Sequence, residues 1–459
     1  LGQVAQGAAQ GGFETFSFFY YTQVLGLSGT LAGAAVMVAL IFDGMTDPLA
    51  GSLSDATRTR WGRRHPYLYA SALPLGASFA LLFSPPAGLS SLGLFAWLTG
   101  FAVLLRAAIT LLHVPHMALG AELSSDYHER TGIVAYRMLF QSLGWSGTPI
   151  LGFWVFFRAT PEFPQGQMNA AAYPTFGLAI GGMAIAAVLV SALSTHSLIP
   201  LLPKANTSAT RAIWSRLLVD VRSALGNASF RWLLSGLVFV FMARGIHQLL
   251  RLHMNTYFWE LSTVEMGAML LPSVAGMGLG IPFWTRVSRR IDKKPTLITG
   301  VLAFNTISVM APMLRLLGAF PGNDDPLLLP ALLAFSFLGT FCAGGLVIVG
   351  SMVADVTDEN ELRTGQRNEG VFFGAYSLAD KTAAGLGHFL AGIALDLIVF
   401  PVGAGAADVV SPENVRNLGI LFAPGVLVLG ILAALALSRY RLSGDEHGRI
   451  RAELDARET

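Results

Sequence analysis

The sequence predicts an all-α membrane protein with about twelve transmembrane helices in two related six-helix halves. Three observations predict it. Of 459 residues, 53% are hydrophobic and only 13% charged, whereas soluble domains carry about 25% charged residues. The apolar residues form continuous runs of about 20, the length of a bilayer-crossing helix, and not the alternating runs of about 10 that a barrel needs. Two polar motifs also recur at nearly one spacing, as a duplicated unit requires. Because lipid offers the backbone no hydrogen bonds, helices are the structure left for such runs. The 50 Gly and 22 Pro sit inside them, where small residues let helices approach closely.

Charged or Pro/Gly-rich breaks place the helices in order. The first two fall at 2–25 and 29–54 and lead into a basic stretch at 51–66. The next two, 67–86 and 92–120, are separated by uncharged residues at 84–91. Helices at 132–158 and 174–199 complete a first bundle, residues 1–200. A polar linker follows at 201–227, with Lys204, Arg211, Arg216, Asp220 and Arg222, part of it suited to an interfacial helix. The second bundle, 228–438, takes helices at 228–258, 264–284, 295–318, 327–354, 368–400 and 416–438, and a tail runs over 439–459. The chain begins at Leu1 already in a helix-like segment, which reads as a trimmed amino terminus and not as a signal peptide.

Lys and Arg orient the spans, because basic loops stay in the cytoplasm. The loop after the second helix holds Arg58, Arg60, Arg63 and Arg64; the loop after the eighth holds Arg286, Arg289, Arg290, Lys293 and Lys294; the tail holds Arg439, Arg441, Arg449, Arg451 and Arg457. The opposite loops are nearly bare, so both termini are expected in the cytoplasm of a bacterial-type inner membrane. Residues 51–66 (GSLSDATRTRWGRRHP) and 280–295 (GIPFWTRVSRRIDKKP) are equivalent basic loops at an offset of 229. Ala121-Glu122-Leu123-Ser124 with Arg130-Thr131-Gly132 matches Ala354-Asp355-Val356-Thr357 with Arg363-Thr364-Gly365 at an offset of 233. Two six-helix repeats are the arrangement of the major facilitator fold, with solute held between halves. Net charge of +2 gives no reason to expect nucleic acid. The one cysteine, Cys342, excludes a disulfide framework.

Ionisable groups inside spans are functional candidates. Asp43 and Asp47, four residues apart, share one helical face beside Thr46. Two carboxylates this close repel by several kcal/mol in low dielectric unless a cation lies between them or one is protonated. Their oxygens suit Na⁺ or H⁺; the other reading is a structural pair bonded to an Arg or a neighbouring helix. Lys381, next to Asp380 in the eleventh helix, is placed to neutralise those acids when the cation is absent, unless it snorkels to an interface or pairs locally with Asp380. His113, with Arg106 before it, and Arg137, Glu14 and Arg244 are candidates to line the solute cavity; the other readings are a hydrogen-bonded packing role for His113, a staple at the cytoplasmic helix end for Arg137, and a pair between Glu14 and Arg244. Asp55, Arg63, Arg64, Glu122, Asp126, Glu129, Arg130 and Arg363 are expected to form a cytoplasmic gate of ion pairs that breaks when the halves rock, the other reading being a plain solvated surface. The aromatic crowd Phe13, Phe16, Phe18, Phe19, Tyr20 and Tyr21 is expected to face lipid.

The run from Asp43-Gly-Met-Thr-Asp-Pro-Leu-Ala-Gly-Ser-Leu-Ser-Asp to Arg63-Arg64-His-Pro66 resembles the signature of the glycoside-pentoside-hexuronide:cation symporters, the melibiose-permease branch of the major facilitator superfamily. Pro115 through Tyr136-Arg137, with Asp126-Tyr-His-Glu-Arg-Thr131, resembles that family's second signature. The resemblance implies uptake coupled to sodium, lithium or protons, with Asp43, Asp47, Thr46 and Thr110 at the cation and Lys381 nearby. It also implies sugar-gripping acids in the first and fourth helices. The corresponding stretches here show Gly7 and His113, so melibiose is not the expected solute. His-Val-Pro of the fourth helix and Ala-Tyr-Arg-Met of the fifth are similar to the sodium-dependent lysophosphatidylcholine symporters, a branch of the same family. The expectation is therefore a Na⁺-coupled symporter, acting as a monomer without a cofactor, for a sugar or glycoside, with a lysophospholipid as the alternative small-molecule substrate. A membrane enzyme would need a nucleophile or metal motif that the sequence lacks. A channel would repeat its charges as a ring, and here they are scattered over both halves.

Overall fold

The computed structural model describes residues 1–123, 126–202, 222–403 and 410–458. Most of the expected linker, with Lys204, Arg211, Arg216 and Asp220, lies outside these residues, as does Ser124. Twelve long helical segments are present among the described residues: α1 (Gly2–Phe19), α2 (Gly29–Ala56), α3 (His65–Leu82), α4 (Ser91–Glu122), α5 (Tyr127–Leu151), α6 (Ala172–Ser194), α7 (Ala228–His253), α8 (Thr263–Ile291), α9 (Lys293–Leu316), α10 (Leu328–Thr364), α11 (Glu369–Leu397) and α12 (Pro412–Ser438). A thirteenth helix, α13 (Gly444–Glu458), follows.

Local chemistry sets several starts. Ser28 and Ser90 each turn a hydroxyl onto the third backbone N–H ahead, at 3.3 Å and 3.2 Å, capping α2 and α4. Pro66 sits in the first turn of α3, where its missing donor costs nothing. Eight of the described helices are long and apolar enough to cross a bilayer by composition. The other four long segments, α1, α3, α5 and α11, are diluted by Gln3, Gln6 and Glu14, by His65 and Pro66, by Glu129, Arg130 and Arg137, and by Asp380, Lys381 and Asp396.

The chain forms two compact units. The first comprises Leu1–Ile213, Gln248–Gly267 and His388–Ser411, so α1–α6 pack with the last turns of α7 and α11. Within it α1 lies along α5, α2 along α4, and α3 between α4 and α6. Backbones nearly touch at α1 and α5: a methyl on Gly7 or Gly11 would lie 2.1 Å from the carbonyl oxygen of Gln141 or Trp145. The aromatic crowd of α1 faces inward, against the lipid-facing expectation. Phe13, Phe16, Phe18, Phe19, Tyr20 and Tyr21 are all buried, and Phe16 meets Phe153, Phe157 and Phe176 at ring separations of 5.1, 4.8 and 5.2 Å. The glycines on one side of α1 leave the rings on the other to fill the unit's core.

The second unit comprises Trp214–His247, Ala268–Gly387 and Pro412–Thr459. It repeats the pairings of the first: α8 lies along α10, and α9 between α10 and α12. α7 meets α11 through Gly245 and Gly387, where a methyl would lie 2.4 Å and 2.3 Å from the carbonyl oxygens of Ala384 and Met242. The repeat reaches fine detail. α1 and α7 both end in a π-helical turn, Tyr20–Val24 and Met254–Phe258. The offset between those turns, 234, is the one that relates Gly11 to Gly245. The tail folds as α13, seating Leu442, Ile450 and Leu454 in the same apolar cluster as Val353, Val356 and Phe372.

Candidate functional site

Three of the polar clusters among the described residues hold the candidate site residues. The first is in the middle of α2. Asp43 and Asp47 stand one helical turn apart, and the Thr110 hydroxyl of α4 lies 2.8 Å from Asp43 Oδ1 and 3.0 Å from Asp47 Oδ1. A hydroxyl has one proton to donate, so it cannot satisfy two carboxylates at once. Thr46 bonds back to its own helix, to the carbonyls of Phe42 at 3.0 Å and Asp43 at 3.3 Å, leaving lone pairs on the same face. Pro48 in α2 and Pro115 in α4 withhold the N–H groups that would bind the carbonyls of Gly44 and Leu111, adding main-chain oxygens to the neighbourhood. The set is made of hard oxygen donors, suited to a small alkali cation or a proton.

Arg106 closes this cluster. It is 3% exposed, with Nη1 3.7 Å from Asp43 Oδ2 and Nη2 3.6 Å from Glu14 Oε1 of α1. Its guanidinium carbon lies 5.1 Å from the centre of the Phe13 ring. Glu14 Oε2 accepts from Trp145 Nε1 at 3.2 Å and from Gln248 Nε2 of α7, and Arg251 feels its charge. Beside it a polar set runs between α1 and α4: Gln6 meets His113 at 2.6 Å, Gln3 meets His116 at 3.1 Å, and His116 meets Ser191 of α6 at 3.2 Å. Gly7 is turned into the α5 contact, so Gln6 is the residue of that stretch that reaches His113. Arg137 of α5 packs against Gly120, and its Nε has no hydrogen-bond partner.

The second cluster joins the basic loop after α2 to the end of α4. Glu122 Oε1 accepts from Arg63 Nη2 at 2.8 Å and from Arg64 Nε and Nη2 at 3.1 and 2.8 Å. Asp55 lies 2.6 Å from Arg64 and 3.9 Å from Arg63. Asp126 instead caps α5, its Oδ1 accepting the Glu129 N–H at 2.9 Å, and Glu129 and Arg130 are exposed. In the second unit Lys293 Nζ bonds both oxygens of Asp355, at 2.8 and 2.6 Å. Arg64 and Lys293 are related by the loop repeat, and Glu122 and Asp355 by the helix-end repeat. Each unit thus carries the same basic-loop to helix-end ion pair. Arg363 is exposed and donates to Asn360 of its own helix at 3.2 Å.

The third cluster is α7 with α11. Arg244 pairs with Asp380 and lies over the Phe241 ring at 5.2 Å. Lys381 follows Asp380 on α11. Glu14 belongs to the first unit and Arg244 to the second.

Sequence reasoning missed several residues. Asp396 of α11 grips the start of α2, its two oxygens each accepting a backbone N–H, of Gly29 and Thr30, at 2.8 Å. It is a lone acid in an apolar run, and the rule that singled out Asp43 would have found it. Gln248 and Trp145 are uncharged and carry no such signal. Lys293 and Asp355 both stood in the repeats, where their charges were complementary.

The family profile described as MFS/sugar transport protein matches residues 1–444. The chain belongs to that family. It is an integral membrane transporter and not an enzyme. The isoprimeverose transporter of Lactiplantibacillus pentosus is 24% identical over 391 residues, covering 83% of this chain and 75% of that protein. Mouse sodium-dependent lysophosphatidylcholine symporter 1 is 24% identical over 477 residues, covering 96% and 84%. Among solved structures the nucleoside transporter NupG matches with a TM-score of 0.65 at 12% identity over 96% of this chain and 98% of that one. That likeness establishes the major facilitator fold.

Proposed function

We propose that this transporter is a Na⁺-coupled symporter for a glycoside-class solute, working by alternating access in a bacterial-type inner membrane with both termini in the cytoplasm. The observation that carries it is the pair of buried Asp43 and half-buried Asp47, converging on one Thr110 hydroxyl. Two carboxylates one turn apart among hard oxygen donors are the chemistry that takes up a small cation. Coupling by proton is the same chemistry with one carboxyl neutral. The solute class rests on Glu14 beside Trp145: a carboxylate accepts paired hydroxyls, and an indole face packs on the apolar face of a sugar ring. A named relative transports isoprimeverose.

A lysophospholipid is the second reading, favoured by the Gln6–His113 pair where the family resemblance implies a sugar-gripping acid, and by the lysophosphatidylcholine relative. The chain carries its basic residues in the loops after α2 and α8 and in the tail, which supports the orientation. Uptake into proteoliposomes tests all of this, with labelled glycosides and lysolipids compared under imposed sodium and proton gradients. Glycoside uptake driven by sodium and abolished by Asp43→Asn is expected. Uptake indifferent to either gradient, or conduction at channel rates, refutes the symporter.

A further inference from the structure

We propose that Arg106 is an internal competitor for the cation: its guanidinium is shared between Asp43 and Glu14, and cation entry at Asp43 and Asp47 drives it onto Glu14. This rests on the cation-coupled reading above and assigns a residue to the coupling step.

The geometry is that of a group caught between two partners. Arg106 lies 3.7 Å from Asp43 and 3.6 Å from Glu14, too far to hydrogen-bond either and close enough to feel both. It is 97% buried, and its Nε and Nη2 have no hydrogen-bond partner. A buried guanidinium with idle donors is costly, and a small displacement toward either carboxylate supplies the missing bonds. Phe13 provides a flat ring along which the planar group can slide while keeping its contact. The two destinations differ in what else they hold. Asp43 shares Thr110 with Asp47, whereas Glu14 holds Gln248 of α7 and Trp145 of α5.

A cation at Asp43 and Asp47 satisfies those acids and repels the guanidinium. Arg106 then completes its hydrogen bonds on Glu14, and Glu14 gives up acceptor capacity to do so. Its hold on Gln248 and Trp145 weakens. Cation occupancy is converted into a change at the solute-facing acid and at the end of α7 without the ion touching either. Linkage makes the effect reciprocal: whatever draws Arg106 to Glu14 strengthens cation binding.

The test uses the purified full chain in detergent and measures equilibrium binding of ²²Na⁺ at pH 8, with no solute needed. Arg106→Gln removes the competitor and is expected to tighten Na⁺ binding roughly tenfold. Glu14→Gln, nearly isosteric and remote from the ion, removes the alternative partner; Arg106 stays on Asp43, and Na⁺ binding weakens several-fold. The double variant should bind like Arg106→Gln alone, because Glu14 acts only through the arginine. Weaker binding in Arg106→Gln overturns the proposal, as does an unchanged Glu14→Gln or additive effects in the double variant. If Arg106→Gln does not fold, Glu14→Gln still decides. Absence of saturable Na⁺ binding in the native chain overturns the sodium reading itself, and this inference with it.

Discussion

Asp47→Asn isolates the electrostatics of the paired acids, because Asp47 stands one helical turn from Asp43 and shares the Thr110 hydroxyl with it. Thr110 Oγ1 lies within 3.0 Å of one oxygen of each carboxylate, so those oxygens are no more than about 6 Å apart. At an effective dielectric of ~20, two unit charges at that distance repel by about 3 kcal/mol. The substitution removes the repulsion, keeps the side chain's shape and removes a cation ligand. Thermal unfolding of the purified protein in choline chloride and in sodium chloride separates these effects. In choline the variant should melt above the native protein. In sodium the native protein should gain about 2.7 kcal/mol at a hundred times its dissociation constant, and the variant should gain almost nothing. A variant that melts lower in choline and responds to sodium like the native chain refutes the argument.

Three further predictions follow from geometry. Glu122→Gln leaves buried Arg64 and half-buried Arg63 with the exposed Asp55 as their remaining carboxylate and should cost about 2 to 3 kcal/mol; Asp55, 53% exposed, should cost no more than about 1 when changed to Asn. Equal melting shifts in the two variants would contradict the burial argument. Lys381→Ala should lower gradient-driven uptake into proteoliposomes about tenfold while leaving the purified protein folded; native uptake would make Lys381 an interfacial residue. Gly144→Ala sets a methyl 2.3 Å from the Val4 carbonyl oxygen and should destabilise by about 1 to 3 kcal/mol, whereas Gly147→Ala, open on its face of the same helix, should be neutral or stabilising in the same melting assay.

The fold was legible because lipid removes alternatives: apolar runs had to be helices, and the recurring basic loops had to be a repeat. Helix ends were less so. α10 runs on to Thr364, well past the expected 354, because Asp355, Asp358 and Glu359 find partners in Lys293, His447 and Asn227 and no longer need water. The tail was read as a tail because its charges hide three apolar residues, and only the packed unit reveals that Leu442, Ile450 and Leu454 share a face. At the site, charge spacing along one helix exposed Asp43 and Asp47, while Arg106 appeared only as a neighbour of His113. Its position between two acids depends on α1, α2 and α4 meeting at one level, which no single stretch of sequence encodes. The aromatic crowd of α1 went the wrong way for a related reason: hydropathy does not distinguish a ring that faces lipid from one that fills a core.

The duplication also shows where function parted from architecture. Shifted by the loop offset of 229, Asp43 and Asp47 fall on Pro272 and Gly276; shifted by the helix-end offset of 233, Arg106 and Thr110 fall on Gly339 and Ala343. The interface they occupy, α8 with α10, is the counterpart of α2 with α4. In the second unit it is closed by small residues, with a methyl on Gly276 set to lie 2.3 Å from both Phe337 O and Thr340 Oγ1. One copy of the interface brings backbone close to backbone at Gly276. The other holds charged side chains that are expensive to bury. That difference between the copies supports the proposed cation site, whereas the ion pairs Arg64–Glu122 and Lys293–Asp355 are alike in both copies.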